Sequence, residues 1–223
     1  MTAEPGRGQS RKPGNGEPPT GAPVRLRRLS RWLVEGLRED LAGLYAVSRA
    51  TPPGDPYRRP SRQNFLNRLT ADMRRPEFAM VIAETDSLMG CAYGSPVRGD
   101  GSWWLGFDGA LPRGIEQLTV SGNVFAFADI LIRPHPRDRE LARRVQERLL
   151  TDHQASLGAT LVDRADRQAL AALRSSGWLD VGELRRPTGA PTFRVLVLPL
   201  GERTTARLEG LLTMPGDGGP RGA

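Results

Sequence analysis

The sequence has few of the residues on which disulfide-linked proteins, metal sites and membrane proteins depend. Cys91 is its only cysteine, which excludes an intrachain disulfide and a cysteine-based zinc cluster. His135 and His153 are its only histidines, and without a third ligand they do not indicate a metal site. No apolar run approaches the roughly 20 residues that span a bilayer. We therefore expect a protein that holds no metal and does not cross a membrane.

Lysine is also nearly absent, so the positive charge comes from arginine. Lys12 is the only lysine, yet lysine and arginine together number 32 against 25 acidic residues, a net charge of +7. Such an excess can indicate a nucleic-acid partner. Here the arginines are spread along the chain, which coding bias alone can produce. The sequence also has no ribonucleoprotein motif and no helix-turn-helix signature. We keep nucleic-acid binding only as a third hypothesis.

The composition predicts one domain between two tails. Residues 1–23 are rich in proline, glycine and charge and contain no apolar core typical of a secretory signal. We therefore predict a disordered tail and a cytoplasmic protein. Residues 201–223 end in proline and glycine and are predicted to form a second flexible tail. Residues 24–200 are enough for one well-packed domain and too few for two.

The first half of this domain predicts a strand, two helices and a hairpin. A short strand is favoured first, and prolines end the first helix because they deny amide donors to it. Ser61 suits the N-cap of the second helix. The first helix carries an apolar stripe at three- and four-residue spacing, made of Leu33, Leu37, Leu41, Leu44 and Val47. The predicted elements are a strand over 24–30, helices over 33–48 and 62–73, a loop over 51–60, and hairpin strands over 78–84 and 88–97.

The second half predicts an alternation of strands and helices. Residues 99–123 have no sustained periodicity and are interpreted as a long excursion with one short helix or strand. Its adjacent tryptophans, Trp103 and Trp104, favour a packing anchor over a ligand pocket. Strands follow over 124–132, 159–163, 178–186 and 192–200, with helices over 137–157 and 166–177. Strands separated by helical crossovers predict an α/β (α+β) fold with a mixed central sheet flanked by helices.

Two linked segments of the second half carry a resemblance to a known family. The segment "ILIRPHPRDRELA" is a strand that runs through a tight turn into a helix, whose free amides and dipole suit an anion. About 30 residues later, "ATLVDRADRQALAALRSSGW" places a strand before a second helix. Together they resemble the acetyl-CoA motif and following segment of the GNAT acyltransferase superfamily. The matching positions are Ile132, Pro134, Arg137, Ala142, Ala169, Gly177 and Trp178.

The resemblance implies an N-acyltransferase with a mostly antiparallel GNAT-like sheet. The acyl donor would be acetyl-CoA or another acyl-CoA, and the acceptor an amine-bearing small molecule or protein. Backbone amides near Ile130 and Ile132 would fix the pantetheine and polarise the thioester carbonyl. The positions that the resemblance assigns to CoA are Ile130, Leu131, Ile132, Arg137, Asp138, Arg139, Glu140, Leu141, Ala142, Arg143 and Asp166.

The departures from the family pattern define an alternative. Glu140 replaces the glycine of the pyrophosphate turn, Asp166 the asparagine and Leu173 the frequently catalytic tyrosine. At an effective dielectric near 20, a carboxylate about 4 Å from a phosphate charge is repelled by roughly 4 kcal/mol. Glu140 avoids this if it points outward, which we favour. The alternative is a catalytically weak or inactive module that binds CoA or a protein.

Asp129 is the candidate general base. It is an acid inside the otherwise apolar strand "VFAFADILI", which is costly unless it faces a polar cleft. Family members often carry a glutamate on this strand, so the resemblance assigns Asp129 to water-mediated proton removal from the amine. A strand acid at the sheet rim is the competing interpretation. Tyr45 and Tyr93 are possible replacements for the missing tyrosine, but both favour structural positions.

Overall fold

The computed structural model describes residues 23–49, 61–134, 138–186, 191–201 and residue 204. In this part of the chain seven strands form one sheet in the order β1-β2-β3-β4-β5-β7-β6. All neighbouring strands are antiparallel except β4 and β5. The strands are β1 (Arg25–Leu29), β2 (Ala79–Glu84), β3 (Leu88–Pro96), β4 (Val124–Ile132), β5 (Leu157–Asp163), β6 (Leu179–Arg185) and β7 (Thr192–Pro199).

Six α-helices accompany the sheet in the described ranges. They are α1 (Arg31–Gly36), α2 (Arg38–Ser48), α3 (Arg62–Met73), α4 (Arg113–Val120), α5 (Asp138–Asp152) and α6 (Arg167–Ser175). The mixed sheet with flanking helices confirms the predicted fold class. The predicted loop 51–60 and nearly all of both predicted tails lie outside the described residues. The division into one domain and two tails therefore stays a prediction.

Most predicted elements after the first helix are confirmed within a few residues, but the helix predicted over 137–157 ends five residues early, at Asp152. β4 has the predicted bounds, and β2 and β3 form the predicted hairpin. Ser61 caps α3, because its hydroxyl oxygen accepts a hydrogen bond from the Asn64 amide at 3.2 Å. In the excursion over 99–123, Trp104 is buried and its Nε1 donates to Thr119 Oγ1 at 2.9 Å. This supports the packing interpretation of Trp104.

The prediction of one continuous helix over 33–48 is wrong. The helix is interrupted at Leu37, whose amide donates to the Val34 carbonyl at 3.1 Å, and α2 begins only after it. Leu33 and Val47, which were predicted to be buried, are 38% and 37% exposed, whereas Val34 is fully buried. Gly36 precedes the break and favours it, since glycine costs about 1 kcal/mol in a helix. One continuous apolar stripe cannot face the core from two helices with separate axes.

Helices cover both faces of the sheet, and two separately packed regions meet at β4. α1, α2 and α3 pack over the β1–β4 half of one face, and α5 and α6 pack on the opposite face. A third buried cluster contains Trp104 and Ile115 of the excursion together with residues of β4, β5 and β7. Ala126 belongs to this third cluster and Leu131 to the first, and a bulge at Ala128 interrupts the alternation of side chains along β4 so that both lie on one face. Asp129 therefore lies between two packed regions on the same face.

A bulge and a divergence distinguish the carboxyl half of β4. Pairing with β3 skips Ala128, which is left as the bulged, exposed residue. Pairing with β5 covers only Val124–Ala126. Just past this point the Thr160 hydroxyl of β5 donates to the Phe127 carbonyl at 3.2 Å. Gly94 permits the close approach on the other side, since a Cβ there would lie 1.9 Å from the Ala126 carbonyl oxygen.

Candidate active site

The divergence of β4 and β5 opens an edge in the middle of the sheet. Beyond Ala126 no described strand pairs with β4 on its β5 side. Backbone amides and carbonyls along such an edge can hydrogen-bond an extended, amide-bearing ligand, as an added strand would. The edge includes Ile130 and Ile132, whose backbone the sequence assigns to the donor. Their side chains pack on the α5 and α6 face, whereas Leu131 is buried on the α2 and α3 face.

Asp129 lies in the interior of the sheet rather than at its rim. Its side chain is 10% exposed and forms an ion pair with Arg49, whose Nη2 lies 2.8 Å from Oδ1. The Ile130 amide also donates to Oδ1, at 3.0 Å. Arg49 follows the last residue of α2 and is 39% exposed, so its side chain reaches from the surface to the less exposed Asp129. The carboxylate that the sequence singled out is thus held by a cation that the sequence did not indicate.

Several titratable side chains surround this ion pair. We define the Asp129 cluster as Tyr45, Arg49, Arg68, Tyr93 and Asp129. Burial raises the pKa of the Tyr93 phenol, and the charge of Asp129, its cross-strand neighbour, raises it further. Tyr93 thus stays protonated across the physiological range. Burial lowers the pKa of Arg49, but the charge and hydrogen bond of Asp129, together with smaller contributions from Asp166 and Tyr45, raise it above its usual value.

The first turn of α5 carries two acids. The Asp138 carboxylate accepts a hydrogen bond from the Arg139 amide at 2.6 Å. One of the free amides expected at this helix start is therefore already used. Glu140 is exposed, in keeping with the outward orientation that we favoured. Arg139 is also exposed. Arg137, the leading basic position of the motif, lies outside the described residues.

The other motif positions serve packing or local structure. Leu141 is buried against the sheet, and Ala142 beside it is partly buried. Arg143 points to the exposed side of α5 and pairs with Glu147 at 2.6 Å. The Asp166 carboxylate caps α6 by accepting from the Ala169 amide at 3.0 Å. Leu173, the residue in place of the family tyrosine, packs into the hydrophobic cluster under α5 and α6.

Two residues of the Asp129 cluster were missed by sequence reasoning. Arg49 directly follows α2 and Arg68 lies on α3, and both precede β4 by more than 50 residues. Nothing in their local sequence distinguishes a guanidinium that reaches the sheet from one that faces solvent. In the described part of the chain no three His, Cys, Asp or Glu side chains gather as a metal site would require. Over the same residues, no helix has the length and apolar character of a membrane span.

The fold is that of the GNAT acetyltransferases. An aminoglycoside 6'-acetyltransferase of type Ii superposes with a TM-score of 0.50 at 14% identity, covering 80% of this chain and 99% of the other. A GNAT-family protein from Desulfovibrio desulfuricans gives a TM-score of 0.49 at 14% identity, covering 80% of this chain and 100% of the other. A chimera of the Vibrio cholerae spermidine N-acetyltransferase SpeG gives 0.47, also at 14% identity, with 83% and 98% covered.

These similarities concern the fold. The first of the three structures supports the assignment of the sheet and helix arrangement, since identities of 14% carry no further conclusion about chemistry. The sequence matches no family model. It also matches no curated protein sequence.

Proposed function

We propose that the protein is an N-acyltransferase that moves an acetyl or similar acyl group from CoA to an amine. The observation that carries this proposal is the juxtaposition of the open β4 edge with the Asp129 carboxylate. The edge begins where pairing with β5 ends, at Ala126, and Asp129 follows three residues later on the same strand. One strand thereby offers backbone groups to an acyl donor and a base to an acceptor.

The reaction requires little covalent chemistry from the protein. Asp129 takes a proton from the acceptor ammonium, directly or through one water, and the free amine nitrogen attacks the thioester carbonyl. A carbon–nitrogen bond forms, the carbon–sulfur bond breaks, and the electron pair of that bond leaves on the CoA sulfur. The backbone amide of Ile132 on the open edge stabilises the oxyanion, since the Ile130 amide already donates to Asp129 Oδ1 at 3.0 Å. The new amide nitrogen then loses its second proton to the CoA thiolate, and Asp129 releases its proton to solvent, so the products are the acylated amine, CoA and one proton.

The leaving thiolate needs no dedicated acid to depart. A thiol has a pKa of about 8.5, so its thiolate is a fair leaving group near neutral pH. Leu173 cannot donate a proton, and Tyr93 is the phenol closest to Asp129 in strand register. Tyr93 is almost fully buried beneath α2 and α3, so we assign it to packing rather than to proton transfer. The absence of an acid then lowers the rate by a factor at the small end of about 10² to 10⁴.

Two observations favour the alternative, a module with weak or no activity. Asp138 and Glu140 lie in the first turn of α5, which the resemblance assigns to the pyrophosphate, and Asp138 already occupies the Arg139 amide. In addition, Asp129 can act as a base only if the acceptor reaches a carboxylate that Arg49 already binds. A chain of this kind would keep the fold and bind another partner.

Calorimetric titration with acetyl-CoA separates the two functions without knowledge of the acceptor. Binding at micromolar concentration, followed by acetylation within a panel of amines, supports the enzyme. Glu140→Gln and Glu147→Gln form a matched pair, because each removes one acid from an exposed position of α5. If only Glu140→Gln creates binding that the unmodified protein lacks, the alternative holds. If no variant binds acetyl-CoA, the proposed function is wrong.

A further inference from the structure

Arg68 is the cation of the Asp129 cluster that has no carboxylate partner among the described residues. Arg49 pairs with Asp129 at 2.8 Å. Asp72, one turn after Arg68 on α3, is turned instead to Arg75, with Oδ1 3.2 Å from its Nε. Both carboxylates near Arg68 are therefore engaged by other arginines. The guanidinium of Arg68 keeps donors that an additional anion could use, since it has five N–H groups.

An aromatic ring fixes the position of this guanidinium. The Arg68 carbon Cζ lies 5.6 Å from the centre of the Tyr45 ring, and Nη2 donates to the Tyr45 hydroxyl at 3.4 Å. The Tyr45 ring is itself stacked on buried Phe65, with centroids 4.6 Å apart and planes at 15°. An arginine held in this way loses less conformational freedom on binding than one that extends freely into solvent.

Arg68 and the Asp129–Arg49 pair belong to one electrostatic site. Arg49 follows Tyr45 by one helical turn, and its amide donates to the Tyr45 carbonyl at 3.0 Å. Tyr45 thus contacts the Arg68 guanidinium through its side chain and the Arg49 amide through its backbone. Burial lowers the pKa of Arg68, but the Tyr45 hydrogen bond and the charges of Tyr45 and Asp129 raise it by more. The charge of Asp129, the candidate base, therefore acts on Arg68.

The charges of this cluster discriminate between classes of amine. With Tyr93 protonated, its five members carry two guanidiniums and one carboxylate, whereas the nearby Asp72 pairs with Arg75 and Asp166 caps α6. The Arg68 guanidinium, which pairs with no described carboxylate, repels a second positive charge on the acceptor. An acceptor that carries an acid as well as its amine neutralises the guanidinium charge, with the ammonium at the carboxylate and the acid at the unpaired guanidinium.

We propose that the acceptor amine also carries a carboxylate, which Arg68 and the Tyr45 hydroxyl bind. This rests on the proposed acyltransferase function and deepens it, because it names the substrate class. Arg68 is a specificity residue in this arrangement and takes no part in proton transfer. Its guanidinium binds a carboxylate in a bidentate manner, which lysine cannot reproduce.

The test compares amines that differ only in the carboxylate. Acetylation of 5-aminopentanoate is compared with that of pentylamine, and acetylation of lysine with that of cadaverine, at saturating acetyl-CoA. We expect the carboxylate-bearing member of each pair to have the higher kcat/KM. Arg68→Gln should lower that kcat/KM by about 10- to 100-fold and leave the partner amine within about twofold. Arg68→Lys should recover only part of the loss.

Controls separate this inference from the activity itself. Arg74→Gln removes one charge from an exposed position just after α3 and should leave the ratio within each pair unchanged. If pentylamine and 5-aminopentanoate are acetylated equally, or Arg68→Gln lowers both alike, the carboxylate subsite is wrong although the acyltransferase stands. If no amine is acetylated, calorimetric binding of 5-aminopentanoate decides, since failure to bind, or equal binding by Arg68→Gln, also overturns the subsite.

Discussion

The two sides of the carboxyl end of β4 carry charge in opposite senses. On one side, the first turn of α5 holds two acids, Asp138 and Glu140. On the other side, Arg49 pairs with the carboxylate of Asp129, and Arg68 bonds the Tyr45 hydroxyl. An anionic donor would bind better beside basic residues and a cationic amine beside acidic residues, which is the reverse of this arrangement. The two sides therefore depend on different features. The donor side depends on backbone geometry, and the Asp129 side on side-chain charges that are balanced within the cluster.

This contrast predicts that changes of charge matter more beside Asp129 than in α5. Asp129→Asn keeps the shape of the side chain but removes the base, so turnover should fall by about 10² to 10⁴. Acetyl-CoA affinity should be unchanged, because the donor side uses the backbone of β4. Steady-state kinetics and calorimetry measure the two quantities separately.

Asp180→Asn is the matched control for that substitution. Asp180 is buried to a similar degree, with 14% of its side chain exposed, and pairs with Arg194 on β7. Loss of this ion pair should lower the stability and leave turnover unchanged. Full activity of Asp129→Asn would contradict the assigned base. An equal loss in both variants would indicate that activity reports stability alone.

The same contrast explains how far the sequence predicts the molecule. Strands, most helices and the position of Asp129 follow from periodicity and from the cost of an acid within an apolar strand. The break at Leu37 does not, because two short helices and one long helix share the same apolar spacing. The Arg49–Asp129 pair joins residues 80 positions apart, so only the tertiary fold brings them together. Backbone features were predicted better than charge pairs for this reason.

The effect of each acid on the donor side can be measured by removing the acids one at a time. Asp138→Ala frees the Arg139 amide and removes a charge, so acetyl-CoA should bind about tenfold more tightly. Glu140→Ala removes an exposed charge that solvent screens, and should improve binding by less than about threefold. Calorimetry on both variants shows which of the two acids weakens acetyl-CoA binding more. The opposite ranking would mean that Glu140, and not Asp138, faces the pyrophosphate.

A smaller effect is expected where β4 and β5 diverge, and it can be measured as a change in the free energy of unfolding. Thr160→Val removes the hydroxyl that donates to the Phe127 carbonyl, so the free energy of unfolding should fall by about 1 kcal/mol. Acetyl-CoA should also bind more weakly, since the open edge starts there. Thr70→Val is the control, because Thr70 bonds the Leu66 carbonyl within α3. An effect on acetyl-CoA affinity in both variants would argue against a special role of the divergence.

The smallest effect is expected at the far end of α5, where His153 packs against Phe125 with ring centroids 5.0 Å apart. Burial lowers the pKa of His153 below its usual 6.5, and Arg28 lowers it further, although Asp152 and Glu77 oppose the shift. The unfolded chain therefore takes up the proton first as the pH falls below 6.5, so the folded state loses stability there. His153→Phe should remove this loss, which is under about 1 kcal/mol because the site is partly exposed to solvent.

Urea unfolding at pH 7.5 and pH 5.5 measures the loss of stability, and an unchanged pH dependence in the variant would assign the effect to carboxylates instead. Acetyl-CoA affinity at pH 7.5 should not change, because the first turn of α5 lies at the other end of the helix.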